Sequence, residues 1–191
     1  VKDIFKYNYE EQKNETVYEI IDNFLSKEDH YSIKKNLENP NFEWYFSPKS
    51  GHPKEQEELY NYQYYHPIYY HQGPHKSRHF AIVQPLITKL KPIILIRIKV
   101  NATMYDKKII KYPMHNDTHI KCKTGIYIVD TSDGYTYFKD GQRIDSIANR
   151  FITFDSHHEH AGTNLTTAKR RIVVNVNYMQ DEILYEKDVQ T

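Results

Sequence analysis

In the stretch "KYPMHNDTHI", residues 111–120, His115, Asp117 and His119 occupy every second position. Alternate side chains of an extended strand share a face. A histidine and an aspartate at this spacing would present an imidazole nitrogen and a carboxylate oxygen side by side, which is most of a metal site. The missing ligand must come from further along the chain. Residues 156–171, "SHHEHAGTNLTTAKRR", supply His157, His158 and His160, followed by Arg170 and Arg171. Two imidazoles and one carboxylate with the remaining coordination positions open suit non-haem Fe(II). The open face can take a chelating cosubstrate and O₂, and a nearby guanidinium matches a carboxylate in two-pronged fashion. His160 is the expected third ligand. It precedes "AGT", a small-residue turn that lets the backbone approach a metal, and it lies at a suitable distance from Arg171. His119 is surplus, because Asp117 already fills the second position. His157 and His158 are expected not to replace His160.

The elements that would position these groups change character along the chain. "TVYEIIDNFL" reads as a strand and a turn. "SKEDHYSIKKNLENP" reads as a helix capped by Ser26 with Asp29 three residues on, stopped by Pro40, with Ile33 and Leu37 on its apolar side. Residues 41–79 are aromatic, rich in histidine and broken by Pro and Gly, an irregular segment with one hairpin. "SRHFAIVQPLITKLKP" returns to helical spacing through Phe80, Val83, Ile87 and Leu90, and Pro85 either kinks that helix or starts its second half. From residue 93 onward the runs are short and β-rich: "IILIRIKVNA", "CKTGIYIVD", "GYTYFKD", "QRIDSIA", "RFITFD" and "RRIVVNVNYM". A β-rich half after a helical one predicts a jelly roll or sandwich with helices covering one face.

Alternation within these runs assigns the faces. In "LIRIKVN", Ile96, Ile98 and Val100 oppose Arg97, Lys99 and Asn101. In "RIVVNVNY", Ile172, Val174, Val176 and Tyr178 oppose Arg171, Val173, Asn175 and Asn177. The apolar faces can pack on helices. The polar faces look into water or into a wet cavity.

Composition narrows the function classes. The chain has 191 residues, with 26 Lys+Arg against 25 Asp+Glu. It therefore carries no global charge signal for nucleic acid or for a membrane. One cysteine, Cys122, excludes an intrachain disulfide framework and fits a reducing, cytoplasmic setting. The first residues, "VKDIFKYNYEEQKNE", are too charged for a signal peptide, and no apolar run approaches the roughly 20 residues that span a bilayer. The eighteen tyrosines read first as the codon bias of an AT-rich genome.

Residues from about 94 to 180 resemble the Fe(II)- and 2-oxoglutarate-dependent dioxygenases, in their prolyl-hydroxylase-like branch and its phage-encoded type. The resemblance rests on "HND" (His115, Asp117), "DGYTYF", "ANRFITFDSHHEHAGT" (His160) and "KRRIVVNVNYM" (Arg171). "IIDNFLSKEDH" and "NPNFEWYF" extend it over most of the chain. It implies a mainly β protein with flanking helices: a double-stranded β-helix, or jelly roll, with N-terminal helices packed on the major sheet. The implied layout is a single domain over 1–191, with a support and lid region at 1–92 and a catalytic core at 93–180. It implies Fe(II) on His115, Asp117 and His160, 2-oxoglutarate and O₂ as cosubstrates, and hydroxylation of an unactivated C–H bond. In a phage-encoded protein the setting would be the host cytoplasm.

Arg170 and Arg171 compete to hold the far carboxylate of 2-oxoglutarate, and alternation favours Arg171, which shares the face of Asn175 and Asn177. In prolyl hydroxylases of this type an aromatic follows the basic residue seven positions later, as Tyr178 follows Arg171. Relatives often add a tyrosine hydroxyl from the strand after His-x-Asp. In "TGIYIVD" the cavity-facing positions are Thr124, Ile126 and Ile128, with Tyr127 facing out. Thr103, Asn101 or Lys99 is then the substitute donor. The primary substrate stays open among a prolyl residue of a peptide or protein, a free amino acid and a nucleobase. The rival readings are a catalytically inactive jelly-roll binding or virion module and a cupin-like protein with another metal. His66, His71, His75 and His79 match no zinc spacing and suit a structural or lid role.

Overall fold

The structure is a computed structural model that describes residues 18–48, 60–71 and 76–180. In chain order its elements are β1 (Tyr18–Ile21), α1 (Lys27–Leu37), β2 (Tyr45–Ser47), β3 (Gln63–Tyr70), a 3-10 turn (Phe80–Val83), α2 (Gln84–Leu90), β4 (Ile94–Met104), β5 (Lys123–Ile128), β6 (Tyr135–Phe138), β7 (Arg143–Asp145), β8 (Arg150–Asp155), β9 (His160–Gly162) and β10 (Arg170–Met179). A seven-stranded sheet runs in the order β1-β8-β5-β10-β4-β3-β2, and a three-stranded sheet in the order β7-β6-β9. Every strand pair within them is antiparallel. The chain therefore has the expected jelly-roll architecture, a large sheet facing a small one with the helices on the outer face of the large one.

The helices form as their sequence dictates. The Ser26 hydroxyl accepts the Asp29 backbone N–H at 3.0 Å, which caps α1, and Ile33 and Leu37 are fully buried on its apolar side. Pro85 sits in the first turn of α2, where its missing N–H costs nothing, and the residues before it form the 3-10 turn. Proline here starts the second half of the segment. From these helices Ile33, Leu37, Val83, Leu86 and Leu90 pack against Ile98 and Val100 of β4 and against Ile172, Val174, Val176 and Tyr178 of β10. A second core of Ile126, Ile128, Phe138, Ile144, Ile152, Phe154 and Val173 lies between the two sheets. Tyr127 belongs to the helix-side core, and its fully buried ring carries its hydroxyl to His30 Nδ1 at 2.6 Å.

Two parts of the fold differ from the sequence expectation. Residues 41–79, expected to be an irregular segment with one hairpin, supply two strands of the large sheet, β2 and β3. That hairpin is β2–β3, and β3 is an eight-residue strand that pairs with β4. Pro67 conceals it in the sequence. It lies beyond the residues that β2 covers, where the register on β4 shifts, a place that tolerates a missing N–H donor. The second difference is that His115, Asp117 and His119 do not lie on a strand. They belong to the β4–β5 connection, in which His115 forms an isolated bridge with His160. "VKDIFKYNYEEQKNE" and His75 fall outside the described residues.

Asn149 ties the segment after β1 to the large sheet. Its φ is 63°, a left-handed conformation that asparagine tolerates. Its buried carboxamide accepts from Leu25 N–H (2.9 Å) and from the Tyr127 hydroxyl (3.0 Å), and donates to Leu25 O (2.8 Å). Asn149→Ala is expected to lower the unfolding free energy by about 2–4 kcal/mol, from lost buried hydrogen bonds and strained φ. Asn149→Gly, which relieves the strain imposed by alanine but restores no carboxamide, should recover less than half of that in urea denaturation. Full recovery by glycine would show that the carboxamide bonds contribute nothing.

Candidate active site

The site begins with backbone pairing. His115 N–H donates to His160 O at 3.0 Å, and His160 N–H donates to His115 O at 3.1 Å. This reciprocal pair fastens the β4–β5 connection to β9 and puts the two rings 5.1 Å apart. Each ring then uses Nδ1 locally: His115 on Pro113 O at 3.1 Å, and His160 on His158 O at 3.2 Å. A carbonyl can only accept, so Nδ1 carries the proton in both and Nε2 is left with its lone pair. This is the arrangement metal-bound imidazoles use. His115 Nε2 is 4.0 Å from Asp117 Oδ1, and His160 Nε2 is 4.0 Å from Asp117 Oδ2. One ligand atom from each of the three residues lies within 4.8 Å of the others, a spacing a single ion can bridge.

Asp117 is held by a chain of polar contacts. Arg97 Nη2 reaches Asp117 Oδ1 at 2.8 Å, and Arg97 Nε donates to Asn177 Oδ1 at 2.9 Å. Asn177 Nδ2 donates in turn to Thr124 Oγ1 at 3.0 Å. Burial would raise the Asp117 pKa, but Arg97 and the two histidines outweigh it and hold the carboxyl below its usual range. Burial holds the His160 imidazole below its usual value against the opposing pull of Asp117. Both directions favour the forms that bind a metal, carboxylate and neutral imidazole.

The donor set fits a metal on an observation independent of the sequence. Asp117 Oδ2 is buried and accepts no hydrogen bond from any described residue. A buried carboxylate oxygen without a partner costs several kcal/mol in order of magnitude. A cation held by Asp117 and the two imidazoles would remove that cost.

The three residues line a cavity of about 170 Å³ whose other end is Arg171. Arg171 is 4% exposed. Its Nε donates to Ser146 Oγ at 2.6 Å and one Nη donates to Thr136 Oγ1 at 3.0 Å, which fixes the guanidinium plane. Burial brings its pKa down to about 10, so it stays protonated at neutral pH. Two glycines make room for it. A Cβ on Gly134 would lie 2.8 Å from Arg171 Cδ and 2.6 Å from Asn164 O, and a Cβ on Gly162 would lie 3.3 Å from Arg171 Nη1. Tyr112, 5% exposed, lines the same end, and Tyr137 donates a hydrogen bond to its carbonyl.

Of the other expected residues, Thr103, Asn101 and Lys99 all line the cavity, with Thr103 opposite Arg171 in the strand register. The Thr103 hydroxyl donates to Thr163 O at 3.2 Å. Ile126 lines the cavity, while Ile128 lies in the core between the sheets. Arg170 faces the helices, with its guanidinium 3.4 Å from Glu38 on the chain just after α1. His119 is exposed and outside the cavity, and neither His157 nor His158 lines it. His66 is buried, bonded to Glu43 O and Ser77 Oγ, and His79 Nε2 lies 3.3 Å from Glu43 Oε2, so both have structural partners.

Sequence reasoning placed Arg97 on the polar face but missed its hold on Asp117. It also missed Ser146, Thr136 and Tyr112. Thr136 alternates onto the inner face of "GYTYF", a signal that was present. Tyr112 sits on an irregular connection with no periodicity to read, and Ser146 follows β7 in the same way.

No family model and no curated protein matches the chain. Solved structures do. The viral collagen prolyl hydroxylase vCPH of Paramecium bursaria Chlorella virus-1, in its 2-oxoglutarate complex, is 18% identical, with 84% of this chain and 94% of that chain covered at a TM-score of 0.51. A prolyl hydroxylase from Trichoplax adhaerens, in complex with a hypoxia-inducible-factor peptide fragment, is 14% identical, with 93% and 89% covered and a TM-score of 0.57. The non-haem α-ketoglutarate-dependent epimerase SnoN of nogalamycin biosynthesis is 12% identical, with 86% and 76% covered and a TM-score of 0.59. The chain thus has the jelly-roll fold of the 2-oxoglutarate- and Fe(II)-dependent oxygenases. An epimerase among its neighbours shows that the fold alone leaves the reaction's outcome open.

Proposed function

We propose that this protein is an Fe(II)- and 2-oxoglutarate-dependent oxygenase that hydroxylates an unactivated C–H bond. The observation that carries this reading is one cavity with two complementary ends. At one end stand two Nε2 lone pairs and an unpartnered buried carboxylate oxygen. At the other stands a buried guanidinium held flat by two hydroxyls. His115, Asp117 and His160 would hold the iron, and Arg171 would hold the far carboxylate of 2-oxoglutarate. Thr136, whose hydroxyl accepts from Arg171 and keeps its own proton to donate, stands beside the guanidinium. Tyr112 lines the same end with its hydroxyl donating to Tyr62 O at 3.4 Å, and Thr103 backs it.

When bound, iron and 2-oxoglutarate supply, with O₂, the oxidant that attacks the C–H bond. The protein's own groups do the positioning. The backbone carbonyls of Pro113 and His158 keep both imidazoles in the ligating tautomer. Arg97 occupies one oxygen of Asp117, which turns the other toward the ligand cluster. Ile126 and Val173 give the cavity an apolar wall that keeps water sparse around the reacting carbon.

Prolyl hydroxylation is named for two of the neighbours, so prolyl peptides are the first substrates to test. The reading itself is tested by succinate release from 2-oxoglutarate under air. Fe(II) should support it, and Zn(II) or Mn(II) at equal loading should not. Equal product with Zn(II), or none with any metal, would refute an iron oxygenase.

A further inference from the structure

Within the cavity one cation has no counterpart. Arg97 is paired with Asp117, and Arg171 points at the end assigned to 2-oxoglutarate. Lys99, between them on β4, makes no ion pair or hydrogen bond through its side chain with any described residue. Its Nζ lies 4.9 Å from the Tyr65 ring centroid. Asn175 is its cross-strand partner on β10, and Asn101 is the next residue on its own face of β4. The carboxamide oxygens of Asn101 and Asn175 are buried without a hydrogen bond. An ammonium without an anionic partner thus lines the cavity beside two carboxamides whose oxygens find no donor. Turned about their last bonds, these amides would present N–H groups beside the ammonium, a donor set that suits an anion.

The charge balance points the same way. Arg97, Lys99 and Arg171 face a single carboxylate, Asp117, among the residues lining the cavity. A divalent metal and a dianionic cosubstrate cancel each other, so the cavity keeps a positive surplus. Burial and the neighbouring Arg97 push the Lys99 pKa down against the opposing pull of Asp117, which marks an ammonium short of anionic partners. Position argues against a role for Lys99 in holding the far carboxylate. Thr103 stands opposite Arg171, and Lys99 lies four residues away along β4, roughly 13 Å at the usual rise per strand residue.

We propose that Lys99, flanked by Asn101 and Asn175, forms a subsite for a carboxylate carried by the primary substrate, and that it determines substrate class. The inference rests on the oxygenase reading and deepens it. The carboxylate can come from a free amino acid or from an acidic side chain beside the target residue of a peptide.

The test is equilibrium binding to the anaerobic Fe(II)- and 2-oxoglutarate-loaded protein by ligand-observed NMR, which needs no turnover. The probes are pairs that differ only in carboxylate against carboxamide: the free amino acids with their α-amides, and prolyl tetrapeptides with Glu or Gln next to the proline. At least one carboxylate member should bind, at least tenfold more tightly than its amide. Lys99→Met, which keeps the stem and removes the charge, should abolish that preference. The arm that binds names the source. Absence of a carboxylate preference in both arms overturns the inference, and so does a preference that survives in Lys99→Met. A third measurement separates this from failure of the parent reading. If Lys99→Met weakens 2-oxoglutarate binding tenfold or more, the lysine belongs to the cosubstrate and the inference fails while the oxygenase stands. If the unaltered protein binds no 2-oxoglutarate, the parent reading fails first.

Discussion

Asp117→Asn, which keeps the side chain's shape and an oxygen for Arg97, is expected to reduce Fe(II) affinity and turnover at least about a hundredfold. Partners one shell further out are already worth roughly 10–100-fold in comparable metal sites. Loss of a direct ligand should reach or exceed the upper end of that range. His115→Ala and His160→Ala should be equally damaging, because a three-ligand site with open positions has no spare donor. His119→Ala should stay within about twofold of the unaltered protein, since His119 is exposed and outside the cavity. His157→Ala and His158→Ala should keep iron binding, because neither side chain lines the cavity. Iron content after gel filtration, with circular dichroism to confirm folding, reads all six variants. Damage from His119→Ala equal to that from His115→Ala would mean that the ligand set is misassigned.

Arg171→Met is expected to raise the apparent KM for 2-oxoglutarate by about tenfold to several-hundredfold. This corresponds to a loss of about 1.4–3.5 kcal/mol, in line with roughly 1.5–3 kcal/mol for hydrogen bonds to charged groups. Methionine is chosen because Arg171 is buried and alanine would leave a hole beside Gly134 and Gly162. Iron binding should survive, because Arg171 is not a ligand. Arg171→Lys should fall between, since the charge remains and the planar fork that engages Ser146 and Thr136 does not. Arg170→Ala should leave KM within about twofold. Its guanidinium faces Glu38 on the helix side of the sheet, and Arg170 does not line the cavity. Succinate formation against 2-oxoglutarate concentration gives all three values, and the reverse ranking of Arg170 and Arg171 would place β10 one residue out of register.

That register shows what the sequence can convey. A strand's period of two is written directly into "RRIVVNVNYM". Alternation therefore separates Ile172, Val174 and Val176, which pack on the helices, from Arg171, Asn175 and Asn177 on the other face. The same logic sets Tyr127 on the helix side and Ile126 on the cavity side of β5. Where no period exists, legibility ends. The His-x-Asp segment looked like a strand because its spacing is two, yet it is a connection held by one reciprocal backbone pair. Strand β3 was obscured by Pro67, whose cost depends on a neighbour, β2, that sequence alone cannot place beside it. The grip of Arg97 on Asp117 links residues on two different elements, and local spacing carries no trace of it.

The most direct test of the account is a crystal structure of the protein grown without oxygen in Fe(II) and 2-oxoglutarate, with anomalous scattering measured at the iron edge. The account predicts a single iron peak within bonding distance of His115 Nε2, Asp117 Oδ2 and His160 Nε2, and a 2-oxoglutarate whose far carboxylate meets the Arg171 guanidinium. Iron on His119, His157 or His158, or 2-oxoglutarate bound away from Arg171, would contradict it.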